Sequence, residues 1–128
     1  MTMQTTDKGY WVKSARIDYT YTGATTPVID VPAGTFVSKV VFVVTTVFAG
    51  GAPAGTVGDG TTPAGWIAAA DLTLTTVGAY VGDETDTANY CLGKYYAAAD
   101  TIDFVESGGA CTSGYGYILA HFVRLDEA

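Results

Sequence analysis

The chain has little charge, and what it has is mostly of one sign. Of 128 residues only 15% are charged, and six Lys and Arg stand against thirteen Asp and Glu, for a net charge of -7. A phosphate backbone would be repelled by most of such a surface, which argues against nucleic acid as a partner. Long apolar runs are also missing. The richest, residues 36–48, is interrupted by Ser38 and Lys39 and falls short of the roughly 20 residues a membrane-spanning helix needs, so no membrane is expected among its partners. Residues 1–8 are polar and hold no apolar signal core, which predicts synthesis and retention in the cytoplasm of the producing cell. There are two cysteines, Cys91 and Cys111, with no CxxC spacing and no His at metal-ligand distance in the sequence. A zinc or redox site is therefore not expected, nor any other metal or cofactor. Reduced thiols are the expectation in a cytoplasmic chain, and a disulfide between the two is the alternative.

What remains is a chain of strand formers. Thr, Val, Tyr and Gly dominate while Glu, Lys, Gln and Leu are sparse, which favours short strands parted by glycine-marked turns. In residues 10–22, Trp11, Ala15, Ile17, Tyr19 and Tyr21 share one parity, with Ser14, Arg16, Asp18, Thr20 and Thr22 on the other, as in a half-buried strand. A turn over 23–27, a short strand over 28–31 and a second turn at Pro32-Ala33-Gly34-Thr35 follow.

Residues 36–48 form the most informative segment. At about 3.3 Å per residue an unbroken strand of this length would reach roughly 40 Å, which predicts a bend or bulge along it. Its two faces are equally apolar: Phe36, Val40, Phe42, Val44 and Phe48 on one parity, Val37, Val41, Val43 and Val47 on the other. A strand with one solvated face would alternate with polar residues, so both faces are expected to be covered. The cover is either the opposite sheet with a long loop of the same chain or a neighbouring copy. Phe36, Val40, Phe42, Val44 and Phe48 are the residues we would place at a subunit contact.

Residues 49–65 hold six glycines and read as irregular surface chain. Thr62-Pro63 offers a helix start, predicting one short helix over 64–71 with Trp66 and Ile67 inward. Strands are expected over 72–81, 90–97, 102–106 and 115–125, with a polar loop at 82–87 and a glycine-rich turn over 107–114. About eight strands with closely spaced turns predict an all-β fold, an antiparallel β-sandwich of jelly-roll type with at most one short helix. One domain over 10–128, preceded by a flexible tail over 1–9, accounts for the length.

No constellation in the sequence carries catalysis. The sole histidine, His121, lies in a strand and has neither an orienting carboxylate nor a nucleophile motif beside it, so a structural role is expected. Asp83, Glu84 and Asp86 form the densest acidic cluster, but without the spacing of a calcium-binding loop they read as a solvated loop. Asp59 reads as a turn aspartate. The run 108–116 lacks the lysine of a phosphate loop and opens a strand. Nine tyrosines leave one binding alternative, a sugar platform on exposed Tyr80, Tyr90, Tyr95 and Tyr96.

Several short motifs occur in a recognisable order. They are Val31-Pro32-Ala33-Gly34-Thr35 leading into a valine-rich strand, Thr56-Val57-Gly58-Asp59-Gly60, Ala70-Asp71-Leu72, Thr75-Thr76-Val77-Gly78-Ala79-Tyr80, and Gly93-Lys94-Tyr95-Tyr96 before Ala99-Asp100-Thr101-Ile102-Asp103. Across residues 28–124 this order resembles virion structural proteins of tailed bacteriophages, in particular jelly-roll head decoration (cement) proteins. The resemblance implies a non-enzymatic β-sandwich, commonly a homotrimer, that sits on the capsid exterior and clamps neighbouring major capsid subunits. A tail or fibre module, including one that binds carbohydrate, is the alternative within the virion.

Overall fold

In the computed structural model the described residues are 9–20, 27–83, 90–107 and 111–125. They form eight antiparallel strands: β1 (Tyr10–Asp18), β2 (Pro27–Val31), β3 (Thr35–Ala49), β4 (Ala54–Gly58), β5 (Gly78–Tyr80), β6 (Lys94–Tyr96), β7 (Asp100–Ser107) and β8 (Ser113–Arg124). A large sheet runs β1-β8-β3-β5, with β6 also on β3, and a small sheet runs β2-β7-β4. The pairs β1·β8, β2·β7 and β3·β6 are those of one long hairpin rolled over on itself, which is the jelly-roll topology. Strand β5 departs from it by pairing with β3 in the large sheet.

The core lies between the sheets. Val37, Val40, Phe42, Val44 and Phe48 of β3 meet Ile102 and Phe104 of β7, and the Phe42 and Phe104 ring centroids are 5.4 Å apart. Ile118, Ala120 and Phe122 of β8 continue this layer, and Trp11 of β1 closes one end edge-on to Phe122 at 5.5 Å. The β2–β3 turn matches its sequence signal, because Gly34 sits at φ 77, a left-handed backbone conformation that residues with a Cβ rarely adopt.

Three sequence expectations need correction. The glycine-rich stretch 49–65 is not all irregular, since it contains β4, paired with β7. Gly55 makes this possible: a Cβ there would fall 2.7 Å from the Phe104 ring, so the strand lies close against the core by having no side chain at that point. The helix over 64–71 reduces to a single 3₁₀ turn, Ala69–Asp71. Before it Trp66 and Ile67 do point inward, but outside any helix, with Ile67 bridged to Val57. Within 72–81, Leu72 and Leu74 are buried while only Gly78–Tyr80 pairs as a strand.

The tail over 1–8, the turn over 23–26, Glu84 and Asp86 lie outside the described residues. Among the described residues, no group of three His, Cys, Asp or Glu side chains is placed to hold a metal ion, and no helix is long and apolar enough to cross a membrane.

Candidate assembly interface

The long strand β3 bulges as its length requires, with register shifts against β8 at Val37/Lys39, Val44/Thr46 and Thr46/Ala49. The first shift decides which residues face where. It puts Val37 on the core side with Val40, Phe42 and Val44, and turns Phe36 outward, with its ring against Gly93. Of the five residues expected at a contact, Val40, Phe42, Val44 and Phe48 are thus buried between the sheets, and only Phe36 is on the outer side.

The outward face of the large sheet is built from the opposite parity. Its cross-strand rows, read β1 to β8 to β3, are Tyr10, Val123 and Phe36; Val12, His121 and Lys39; Ser14, Leu119 and Val41; and Arg16, Tyr117 and Val43. Most of these side chains are apolar, and among the described residues no element lies over them. Tyr10 is 55% exposed, Val12 47% and Tyr117 37%. An antiparallel sheet facing water normally carries polar residues there, so this face has the composition of a surface that is covered in use. His121 belongs to it: its Nδ1 is 2.7 Å from the Tyr10 hydroxyl. Arg16 lies over the Tyr115 ring at 4.4 Å, and Lys39 is exposed.

Charge is divided between the sheets. All five described cations, Lys13, Arg16, Lys39, Lys94 and Arg124, are in large-sheet strands, where Asp18 is the sole carboxylate. The strands of the small sheet carry Asp30, Asp100, Asp103 and Glu106 and no cation. Burial pushes the Asp103 carboxyl up, and the neighbouring charges of Asp100 and Asp59 add to this against one hydrogen bond from Thr101.

One buried polar cluster fixes the far end of the sandwich. Asp59 follows β4, and its Oδ1 accepts the N–H groups of Thr61 and Thr62 at 3.0 and 2.8 Å, as expected of a turn aspartate. Its Oδ2 also accepts from the Tyr96 hydroxyl at 2.8 Å and from Lys94 Nζ at 3.1 Å. Trp66 Nε1 donates to the Tyr96 hydroxyl at 3.2 Å, and Lys94 donates to the Tyr90 hydroxyl at 2.9 Å. Burial works against the Asp59 charge, but these donors outweigh it and hold the carboxyl below its usual range. Burial, reinforced by the hydrogen bond to Asp59, pushes the Tyr96 phenol far up, and it stays a donor. The cluster ties the β4 end, the Trp66 segment and β6 together. It is structural, since every one of these polar atoms already has its partner inside the chain.

The four tyrosines expected to form a platform do not share one surface. Tyr96 is 3% exposed, and Tyr90 packs edge-on to Trp66 at 5.3 Å. Tyr80 donates its hydroxyl to the Thr76 carbonyl and lines an open groove of about 590 Å³, while Tyr95 is exposed at 42%. Cys91 and Cys111 are both free thiols, and burial next to Glu106 pushes Cys111 up. No local signal marks the Asp59 cluster, whose members are as far as 37 residues apart.

No protein-family model matches this chain, and no curated protein matches its sequence. Its fold does have solved counterparts. One is a chain of the acidic stable capsid structure of Helicobacter pylori bacteriophage KHP30, with TM-score 0.68 and 11% identity over 91% of this chain and 88% of that one. Another is a chain of the cyanophage Pam1 capsid asymmetric unit, with TM-score 0.68 and 12% identity over 98% and 93%. The shares are nearly equal on both sides, so each counterpart is close to this chain in length and is matched as a whole. At these identities the likeness is one of fold: the β-sandwich built here by eight strands is one also found in bacteriophage capsids.

Proposed function

We propose that this chain is a structural protein of a bacteriophage virion, a decoration (cement) protein that binds the outside of the head as a homotrimer and stabilises contacts between major capsid subunits. The observation that carries this reading is the apolar outward face of the large sheet, where Val12, Leu119, Val41 and Val43 are covered by no other element among the described residues. A face of this composition favours a protein partner, because its burial removes apolar area from water at about 25 cal/mol per Å². The fold, shared along the whole chain with capsid chains of similar size, supports the same reading. His121 lies on this face with the Tyr10 hydroxyl as its side-chain partner, an arrangement suited to a contact surface.

The test uses particles of the phage that encodes the chain, prepared with and without it. Adding the purified protein to particles that lack it should give binding at hundreds of copies per head and a higher capsid melting temperature. Binding at a few copies, or none, with unchanged melting would refute the decoration role.

A further inference from the structure

We infer that two copies of this chain join edge to edge through β1, the two strands running antiparallel about a two-fold axis at Ser14, so that two large sheets become one. The inference goes beyond the decoration reading: the contact lies at the rim of the sheet and leaves both outward faces open to a shell.

The backbone of β1 has one side without a partner. At its two ends the Gly9 carbonyl oxygen accepts the Arg124 N–H, and the Tyr19 N–H donates to the Gly114 carbonyl. The odd-numbered residues between them therefore exchange their hydrogen bonds with β8. The N–H and C=O groups of Tyr10, Val12, Ser14, Arg16 and Asp18 point the other way, and no element among the described residues pairs with them. Natural edges are usually cut short, bulged or broken by proline. β1 has none of these devices: it runs for nine residues without proline or glycine, in unbroken register with β8. Its one inward charge, Lys13, is turned to the small sheet, where Nζ donates to the Asp30 carbonyl at 2.8 Å. The other edge strands do not match it. β2 and β4 have five residues each and β5 and β6 three, and β2 starts at Pro27 beside a bulge.

A second β1 matches in length and in pattern. With Ser14 against Ser14 of the second copy, all nine residues pair: Val12 faces Arg16, Tyr10 faces Asp18 and Lys13 faces Ala15. Each even-numbered pair then exchanges two hydrogen bonds, about ten in all. No like charges are directly opposite in this register, whereas centring the pair on Lys13 would set two ammonium groups against each other. The axis runs perpendicular to the sheet, so the outward faces of both copies point the same way and form one continuous apolar surface. A two-fold contact cannot close a trimer; in the proposed assembly it joins a copy of one trimer to a copy of the next.

Disulfide trapping on the purified protein tests this. Cα atoms at a hydrogen-bonded pair are about 5.5 Å apart, within reach of a disulfide. Ser14→Cys should therefore give a covalent dimer under mild oxidation, at least about tenfold more of it than Val12→Cys, whose counterpart on the second copy is out of disulfide range. Combining Val12→Cys with Arg16→Cys should restore the dimer. Adding Val12→Pro to Ser14→Cys should abolish it with the melting curve retained, because the N–H removed is one that points away from β8. Equal cross-linking of Ser14→Cys and Val12→Cys, none in Ser14→Cys, or no gain in the double-cysteine variant would overturn the inference. Capsid binding plays no part in these measurements, so the decoration role is judged separately. Loss of capsid binding in Val12→Pro, with no dimer from Ser14→Cys, would assign this edge to a strand of the shell subunit and refute the pairing of copies.

Discussion

The two sides of β3 are made of the same kinds of residue and have different surroundings. Val40, Phe42 and Val44 are at most 3% exposed between the sheets, while Val41 and Val43, one residue away, are half-buried on a face that no other element covers among the described residues. Folding accounts for the apolar character of the first set. It does not account for the second, whose burial would have to come from another molecule. The comparison separates residues that make the sandwich from residues that make it useful, a distinction that hydrophobicity alone does not draw.

Substitutions can break or sharpen that contrast. The largest effect is expected on the core side: Phe42→Ala leaves a cavity against Phe104 and should cost about 3–5 kcal/mol in urea unfolding. Next is the polar cluster. Asp59→Asn leaves the partly exposed Lys94 ammonium without its counter-charge and should cost about 2 kcal/mol at neutral pH. The Asp59 carboxyl titrates lower in the folded chain than in the unfolded one, so its contribution is complete above the ordinary carboxylate range and is lost as pH falls through the folded value. The gap between wild type and Asp59→Asn should therefore close below about pH 4, which thermal melts across pH would show. The smallest effect on folding belongs to the outward side: Val41→Thr with Val43→Thr should change stability by less than about 1 kcal/mol, yet weaken capsid binding measured by co-sedimentation. A loss of folding comparable to that of Phe42→Ala would erase the contrast.

Much of this architecture is legible in the sequence, wherever a local signal coincides with the tertiary requirement. The alternation of Ala15 and Ile17 against Ser14 and Arg16 gives β1, Pro32 and Gly34 give the turn before β3, and the doubly apolar run gives β3 itself with its bulges. Three features are not legible because their cause is far away in the chain. β4 hides in glycines that the Phe104 ring requires, and Phe36 and Val37 exchange sides through a bulge set by pairing with β8. Tyr96 looks like any strand tyrosine until Asp59 and Trp66 close on its hydroxyl. The candidate face was legible only as an excess of apolar residues; which parity is outward depends on that bulge.

The pairing of the first strand with the last has a practical consequence for engineering. Gly9 carbonyl oxygen accepts the Arg124 N–H, so whatever precedes β1 and whatever follows β8 leave the sandwich from the same corner. A peptide spliced directly before Gly9 or after Leu125 would emerge at one spot, and a short linker joining these two positions would allow the polypeptide to be reopened at a surface loop with all eight strands in place.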